Sequence, residues 1–265
     1  LWIEGKIKGR FPYSQSYLDW VKTFQPNLSV NPYWPEKEWW NNDEDNLKNQ
    51  ILNSKKTCLQ CKNDLHLNIT NGKWLERIED KRLGNYLYKD EYSFAGKRVG
   101  TKNLNYPCIE EEKIFIQFEF SSYGKDQDKY FYLNEVDQHN QYVGTYLSPN
   151  LFLDSTLFPF LEEAQKIDNQ IRNWYSAMGA TYSFSVDYMM SKDNQIIFNE
   201  VNYRKTMGFI AIRFHQMLGY IKEWAFLGRY PHPQNKKHFC LTPAHAKIPY
   251  YYSVLESQES IQGIF

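Results

Sequence analysis

The hydrophobic pattern of this 265-residue chain predicts helices that alternate with pairs of strands. Apolar side chains recur at helical spacing from residue 157 to residue 178, and Gly179 follows, as glycine often does just past the end of a helix. Residues 181–190 alternate strictly between apolar and polar side chains, which is typical of a strand with one buried face. The pattern of residues 195–202 predicts the strand that returns beside it. We therefore expect a protein of the α+β class.

Weaker patterns predict the remaining elements. Further strands are expected over residues 83–89, 114–120 and 129–133. A second helix is expected over residues 210–226, and residues 31–50 predict a loop followed by a helix. The segment after Gly228 is rich in proline and histidine, so it predicts mostly loop.

The returning strand carries strongly polar side chains on one face. In the stretch NEVNYRKTMG, residues 199–208, the polar Glu200, Asn202 and Arg204 occupy alternate positions directly after an apolar run. Carboxylate and amide oxygens are ligands that suit Mg²⁺, and an arginine beside them suits a phosphate that completes the shell of the metal. A strand face that is simply hydrated would show the same pattern, because antiparallel sheets often have one wet face.

The facing strand supplies a second carboxylate. If Asp193–Asn194 is a two-residue turn, Asp187 lies directly opposite Glu200. If the turn is Lys192–Asp193, Glu200 lies opposite Ser185, and Asp187 stays on the same face. Two carboxylates at this spacing repel each other unless a cation lies between them. Both registers therefore predict a cation site on this face of the hairpin.

Two stretches upstream offer groups that would bind a nucleotide. Lys89 ends a predicted strand, and the turn after it contains small residues whose N–H groups can approach an anion closely, namely Ser93, Ala95 and Gly96. Glu112 precedes an apolar strand whose backbone edge can read adenine. Glu119 lies further along that strand, where it can take ribose hydroxyls. Taken singly, each stretch is also what an ordinary hairpin or strand would show.

In this order the segments resemble the ATP-grasp superfamily, which includes carboxylate–amine ligases such as D-alanine–D-alanine ligase and glutathione synthetase. The likeness covers roughly residues 80–210. Its most specific part is EVNYRKTMG, which is similar to the family's E-[VI]-N-x-R-x-[ST]-x-G ending. The resemblance implies two α+β subdomains that grip ATP between antiparallel sheets. It also implies a ligase that joins a carboxylate to an amine through an acylphosphate and releases ADP and phosphate.

The resemblance further implies a role for each candidate residue. Lys89 and Arg204 would be catalytic. The nucleotide would be bound by Lys89, Ser93, Ala95, Gly96, Glu112, Lys113, Phe115 and Glu119. Two Mg²⁺ ions, with Mn²⁺ as an alternative, would be held by Asp187, Glu200 and Asn202. The substrates would be a small molecule or peptide that carries a carboxylate, and an amine acceptor.

The chain departs from the family's pattern at several points. Many members have arginine two residues before the metal-binding aspartate, where this chain has Ser185, and we expect Arg204 to supply the missing charge. The stretch between Lys89 and Glu112 predicts a short lid. A further ATP-binding lysine is left open among Lys37, Lys48, Lys55 and Lys56. Two alternative functions stay open, an ATP-grasp-like small-molecule kinase and a nucleotide-binding module without turnover.

The resemblance also divides the chain into four parts. Residues 1–50 would be an N-terminal region, the remnant of a substrate-binding subdomain. Residues 51–113 would form the lid subdomain, residues 114–228 the core with the magnesium site, and residues 229–265 a C-terminal tail. Since the chain begins with Leu1 and shows no full substrate-binding domain, we expect a fragment of a longer protein.

Composition narrows the choice of partners. The 31 basic residues balance 31 acidic ones, so no net charge attracts nucleic acid or an anionic membrane. No apolar run approaches the ~18 residues of a membrane span. Cys58 and Cys61 form a single CxxC pair, which lacks the further ligands that a zinc site needs. We expect the cysteines to be reduced thiols in a cytoplasmic protein. A homodimer is compatible with the sequence.

Overall fold

The computed structural model describes residues 2–3, 6–7, 43–77, 84–91, 106–125, 128–138, 141–151, 153, 158–204, 206–242 and 249–257. These residues form sheets of two, three and eight strands together with four α-helices. The smallest sheet pairs β1 (Trp2–Ile3) with β2 (Lys6–Ile7).

The largest sheet is antiparallel at every pair of neighbours and has the strand order β10-β9-β6-β7-β8-β11-β13-β12. Its strands are β6 (Ile116–Lys125), β7 (Asp128–Val136), β8 (Tyr142–Leu147), β9 (Phe184–Ser191), β10 (Ile196–Asn202), β11 (Ala225–Gly228), β12 (Asn235–Cys240) and β13 (Tyr251–Leu255). The strands that carry the predicted metal and ribose ligands, β6, β9 and β10, lie side by side at one end of this sheet.

The three-stranded sheet has the order β3-β5-β4 and is formed by β3 (Lys73–Leu75), β4 (Tyr86–Asp90) and β5 (Cys108–Glu112). Two helices precede it, α1 (Asp43–Asn53) and α2 (Lys55–Asp64). The Ser54 side chain caps α2 by accepting a hydrogen bond from the Lys56 N–H at 3.1 Å. Residues 113–115 connect β5 to β6, so they are a covalent link between the two larger sheets.

The predicted long helix is confirmed as α3 (Leu161–Ala177), and Gly179 follows it at a φ of 90°. Its apolar face includes Leu161, Ile171 and Tyr175, which are buried in one cluster with the core side chains of β6, β9 and β10. The helix therefore covers the face of the large sheet opposite the predicted polar face.

A buried polar cluster fastens α3 to the sheet. The carboxylate of Asp168, which is 0% exposed, accepts a hydrogen bond from Arg172 Nε at 2.6 Å and from the Tyr188 hydroxyl at 2.8 Å. The Ser122 hydroxyl also donates to Asp168, and Lys129 Nζ lies 3.1 Å from its Oδ2 atom. Because every charged member is paired, the cluster ties the helix to β6, β7 and β9 without an uncompensated buried charge.

The hairpin of β9 and β10 differs from the predicted two-residue turn. The Ser191 N–H donates to the Gln195 carbonyl at 3.0 Å, which leaves Lys192, Asp193 and Asn194 as the loop. Asn194 has a φ of 59°, a conformation that asparagine tolerates better than most residues. Alternating side chains could not reveal the length of this loop, because the polar residues between the strands suit both turns.

A β-bulge at Asn199 restores the predicted pairing. Phe198 lies opposite Tyr188, the register then shifts, and Glu200 lies opposite Asp187, as the Asp193–Asn194 turn also predicted. Without the extra residue, Glu200 would lie opposite Val186 on the buried face. The bulge therefore brings Glu200 to the polar face of the hairpin.

Two predictions for the C-terminal third are wrong. The second helix, α4 (Met207–Met217), ends well before residue 226, because Gly219 adopts a φ of 76° and stops it. Phe226 lies instead in β11. The segment after Gly228, predicted as mostly loop, contains β12 and β13. Its prolines lie outside these strands, whose aromatic and β-branched residues favour a sheet.

Within the described ranges, no helix has the length and apolar character needed to cross a membrane. Three cysteines are buried as free thiols, namely Cys58, Cys61 and Cys108, and Cys240 is an exposed free thiol.

We expect Asp168→Asn to lower the free energy of unfolding by about 3–5 kcal/mol, because it leaves Arg172 and Lys129 without their shared carboxylate. Urea denaturation would measure the loss. The control is the double variant Asp168→Leu, Arg172→Leu, which removes the ion pair as a unit and should lose less than the single variant. Equal losses in the two variants would contradict this account.

Candidate active site

A cleft of about 910 Å³ lies between the three-stranded and the eight-stranded sheet. Side chains of β6, β7, β9 and β10 line one side, and β4 and β5 contribute residues to the same space. The predicted site residues that the structure describes all line this cleft: Lys89, Glu112, Lys113, Phe115, Glu119, Asp187, Glu200, Asn202 and Arg204. The predicted loop residues Ser93, Ala95 and Gly96 lie outside the described residues.

The two predicted metal-binding acids face each other on β9 and β10. Ser121 and Ser185 donate hydrogen bonds to Oδ1 of Asp187 at 2.7 and 3.2 Å. Asn202 donates from Nδ2 to Oδ2 of Asp187 at 2.7 Å and to Glu200 at 3.4 Å. Ser185, which stands where many ATP-grasp members have arginine, thus orients the aspartate through a hydroxyl and brings no charge.

The electrostatics of the acid pair are uneven. Burial, followed by the charge of Glu200, raises the pKa of Asp187 to about 6. Burial also acts to raise the pKa of Glu200, but the nearby charges of Lys55 and Lys89 outweigh it and hold that pKa below its ordinary value. Arg204 opposes the shift of Asp187, in the direction expected of a substitute for the missing arginine. The negative charge of Asp187 is therefore less well compensated by nearby positive charges than that of Glu200.

Lys55 is the member of the open set of four lysines that reaches the cleft. It is the first residue of α2, its side chain is 10% exposed, and Nζ binds Oε2 of Glu200. Lys56 instead lies over the Trp74 ring, 5.1 Å from its centroid, and Lys48 is exposed on α1. Lys37 lies outside the described residues. The sequence lacked a signal for this assignment, because the contact joins residues 145 positions apart.

Glu111 is a charged cleft residue that sequence reasoning missed. It accepts hydrogen bonds from Lys62 Nζ at 2.5 Å and from Thr70 Oγ1 at 3.2 Å, and Lys89 Nζ lies 2.7 Å from its second oxygen. Lys89 also donates to Oδ1 of the bulge residue Asn199 at 2.9 Å. Because Glu111 shares its single charge between two lysines, this group keeps a net positive charge beside the cleft.

At both Lys89 and Glu111, attraction between opposite charges outweighs the effect of burial on the pKa. Burial acts to lower the pKa of Lys89, but the carboxylates of Glu111 and Glu200 outweigh it, so that pKa is raised. Burial likewise acts to raise the pKa of Glu111, and the charges of Lys62 and Lys89 hold it well below its usual range. Both groups are therefore ionised at neutral pH.

The link between the sheets lines another part of the cleft. Phe115 is 75% exposed, and Lys192 Nζ lies 5.8 Å from the centroid of its ring. The Lys113 N–H already donates to the Asn85 carbonyl at 2.9 Å, so a base bound along this link has to use other backbone groups. Burial and the charge of Asp187 raise the pKa of Glu119 to about 7. At neutral pH its carboxyl can therefore both donate to and accept from hydroxyl groups.

The donor set of Asp187, Glu200 and Asn202 fits Mg²⁺, which prefers oxygen ligands and binds through a small number of protein groups. Asp187 would gain from a cation, as its raised pKa indicates, whereas Glu200 already has Lys55 as a counter-ion. One change is needed, because Asn202 points Nδ2 at the carboxylates while Arg204 donates to its Oδ1 at 2.7 Å. Rotation of the amide would present the oxygen. No set of three or more His, Cys, Asp or Glu side chains able to hold a metal occurs in the described parts of the chain.

We expect Asp187→Asn to raise the free energy of unfolding of the metal-free protein at pH 7.5 by about 2 kcal/mol. The pKa of Asp187 in the folded protein, about 6, lies above its ordinary value of 3.8, so its ionised form opposes folding. This penalty is complete above pH 6 and disappears below about pH 4. The gain from the substitution should therefore vanish at pH 4, and Mg²⁺ should stabilise only the wild type. Thermal and urea denaturation at both pH values would test this.

The matched control is Asp193→Asn in the exposed loop of the same hairpin, which removes the same charge away from Glu200. It should leave the stability near that of the wild type at both pH values. A gain of equal size from this control, or no gain from Asp187→Asn at pH 7.5, would refute the like-charge explanation.

No protein-family profile and no curated protein matches this chain, but its structure resembles solved structures. The N5-carboxyaminoimidazole synthetase from Staphylococcus aureus, solved with ADP, aligns over 81% of this chain and 70% of its own, with 14% identity and a TM-score of 0.57. The N5-carboxyaminoimidazole synthase from Aspergillus clavatus, solved with ADP and 5-aminoimidazole ribonucleotide, aligns over 92% of this chain and 77% of its own, with 10% identity and a TM-score of 0.58.

A biotin carboxylase from Campylobacter jejuni is also similar, with 11% identity and a TM-score of 0.53 over 80% of this chain and 64% of its own. At these identities the likeness concerns the arrangement of the chain in space. The hydrophobic pattern predicted the α+β class, and the resemblance to the ATP-grasp superfamily implied a cleft between two antiparallel sheets. By its architecture and by these structural neighbours, the chain has the ATP-grasp fold.

Proposed function

We propose that the chain is an ATP-dependent ligase that joins a carboxylate to an amine through an acylphosphate and releases ADP and phosphate. The observation that carries the proposal is the half-buried pair Asp187 and Glu200, which shares a cleft with Lys55 and Lys89. Structural neighbours bound to ADP support a nucleotide in this cleft. A biotin carboxylase domain dimer from Hydrogenobacter thermophilus, solved with MgADP and bicarbonate, supports the metal and a homodimer.

The metal would be held by Asp187, Glu200 and Asn202. Mg²⁺ bound there, as two ions or with Mn²⁺ as a substitute, would neutralise phosphate charge and leave the γ-phosphorus open to attack. The other groups in the cleft act through position. Lys89, fixed between Glu111 and Asn199, presents an ammonium group to phosphate oxygens, and Arg204 at the end of β10 provides the guanidinium for the acyl phosphate.

The reaction has two balanced steps. In the first, a carboxylate oxygen of the substrate bonds to the γ-phosphorus of ATP, the bond from that phosphorus to the bridging oxygen breaks, and ADP leaves. In the second, the amine nitrogen bonds to the acyl carbon, the bond from that carbon to the phosphate oxygen breaks, and the proton lost by the amine leaves with the released phosphate. Lys55 and Lys89 stabilise the charge that moves to the leaving ADP, because phosphoryl transfer depends chiefly on position and charge neutralisation.

The nucleotide would lie along β6. The backbone of residues 112–115, with the exposed Phe115, suits the adenine ring, and Glu119 suits the ribose hydroxyls. The loop that contains Ser93, Ala95 and Gly96 would cover the phosphates and exclude water from the acylphosphate. The lid at residues 51–113 and the core at 114–228 remain predicted divisions. Buried free thiols suit a reducing compartment, which supports a cytoplasmic location.

We expect Lys89→Met to weaken the binding of Mg·ATP by roughly tenfold or more, since it removes a charge-assisted contact with phosphate. The fold should persist, because Glu111 keeps Lys62 as its counter-ion. Isothermal titration calorimetry would measure the affinity. The control Lys166→Met removes an exposed lysine of α3 that does not line the cleft and should bind as the wild type does. Equal affinity in the two variants would remove Lys89 from the site.

The class of reaction can be tested before the natural amine is known. Hydroxylamine converts an acylphosphate to a hydroxamate, so ADP release with hydroxylamine and a panel of carboxylic acids should yield a hydroxamate for the right acid. The variant Asp187→Asn should yield none. ADP release accompanied by a stable phosphate ester would indicate a kinase. Binding of Mg·ATP without any ADP release from the panel would favour a binding module.

A further inference from the structure

Arg229 is a cleft cation without a partner among the described residues. It directly follows β11, its N–H donates to the Val143 carbonyl at 3.1 Å, and its side chain lines the cleft. Nε is shielded from solvent and makes no hydrogen bond. No ion pair joins the guanidinium to a carboxylate in the described ranges. A shielded donor on a charged group is costly unless something accepts from it.

Three other cations of the cleft differ from Arg229 in this respect. Lys55 binds Glu200, Lys89 binds Glu111, and the Arg204 guanidinium donates to Asn202. These three groups therefore already have partners in the protein. The Arg229 guanidinium has no such partner in the described parts of the chain, so its charge is available to a ligand.

The described residues around Arg229 do not neutralise its charge. Tyr142 and Tyr250 line the same part of the cleft, and the charge of Arg229 acts on Tyr142. Burial raises the pKa of Tyr142, so its phenol stays neutral and donates no counter-charge. Glu135, an acidic residue of β7, two strands away from β11, accepts instead from the hydroxyls of Tyr146 and Tyr230, at 2.8 and 2.5 Å.

This part of the cleft is separate from the groups assigned to the nucleotide. Asp187 and Glu200 lie on β9 and β10, and Glu119 lies on β6. Arg229 follows β11, the fourth strand along from β9 in the order β9-β6-β7-β8-β11. A nucleotide that contacts the first three residues leaves the region at β8 and β11 for another molecule.

We propose that Arg229 anchors the second substrate of the cleft and that this substrate carries an oxyanion group, a carboxylate or a phosphate. A guanidinium binds either group through two parallel hydrogen bonds, which a lysine cannot do. The hydroxyls of Tyr142 and Tyr250 are neutral, so they would not repel the bound oxyanion. The proposal deepens the proposed ATP-dependent function, on which it rests for the presence of a second substrate.

The test is a calorimetric titration of the full chain with two probes, succinate for the carboxylate and ribose 5-phosphate for the phosphate. Each is titrated with and without saturating Mg·ADP, so that an anion cannot simply occupy the phosphate region of the nucleotide. The wild type should bind one probe saturably in the presence of Mg·ADP. Arg229→Gln should weaken that binding at least about tenfold, and Arg229→Lys should weaken it less.

The matched control is Arg213→Gln, an exposed arginine of α4 that does not line the cleft. It loses the same charge and should bind the probe as the wild type does. The probe that binds identifies the oxyanion as carboxylate or phosphate. Binding of neither probe to the wild type, or equal binding by wild type and Arg229→Gln, would overturn the proposal.

The nucleotide titration separates this failure from a failure of the proposed function. Arg229→Gln should bind Mg·ADP as tightly as the wild type, because Arg229 lies away from the nucleotide groups. If the wild type does not bind Mg·ADP, the ATP-dependent function fails, and the titration without nucleotide still reads the oxyanion site. If Mg·ADP binds but neither probe does, the oxyanion site alone fails.

Discussion

The repulsion between Asp187 and Glu200 is the constraint around which the cleft is organised. Two carboxylates on neighbouring strands would drive a hairpin apart if they stood alone. Here Lys55 binds Glu200, while Ser121 and Asn202 donate to Asp187. The compensation is incomplete, as the raised pKa of Asp187 indicates. The fold thus maintains a negative site that a cation can complete, at the expense of stability in its absence.

The opposite side of the large sheet shows what full compensation looks like. Asp168 is as deeply buried as any of the described residues. Arg172 and Lys129 nevertheless hold it ionised, with its pKa lowered although burial acts to raise it. The same sheet therefore carries one acidic group that is fully paired and anchors a helix, and an acidic pair that is not. The face that carries Asp168 contributes to the stability of the fold, and the face that carries Asp187 and Glu200 forms the candidate site.

Local patterns in the sequence predicted the parts of the structure that depend on local order. The alternation of residues 181–202 gave the hairpin and its polar face, and helical spacing gave α3. The bulge at Asn199 was not predictable, because the polar residues near the turn suit more than one register. The sequence left Lys55 open among four lysines and did not point to Glu111, because the contacts of both residues join distant segments of the chain. Arg229 was not predicted as a cleft residue, because its segment is rich in proline and was therefore predicted as mostly loop.

The lysine contacts across the cleft also govern how ligands enter it. Lys55 lies on α2 and Lys89 on β4, whereas their partners Glu200 and Asn199 belong to β10, so these contacts fasten α2 and the three-stranded sheet to the large sheet. A polyphosphate that bound Lys55 would release Glu200, which would then become available to a metal ion. The anion and the cation thus each free a group that the other binds, so we expect each to raise the affinity of the cleft for the other.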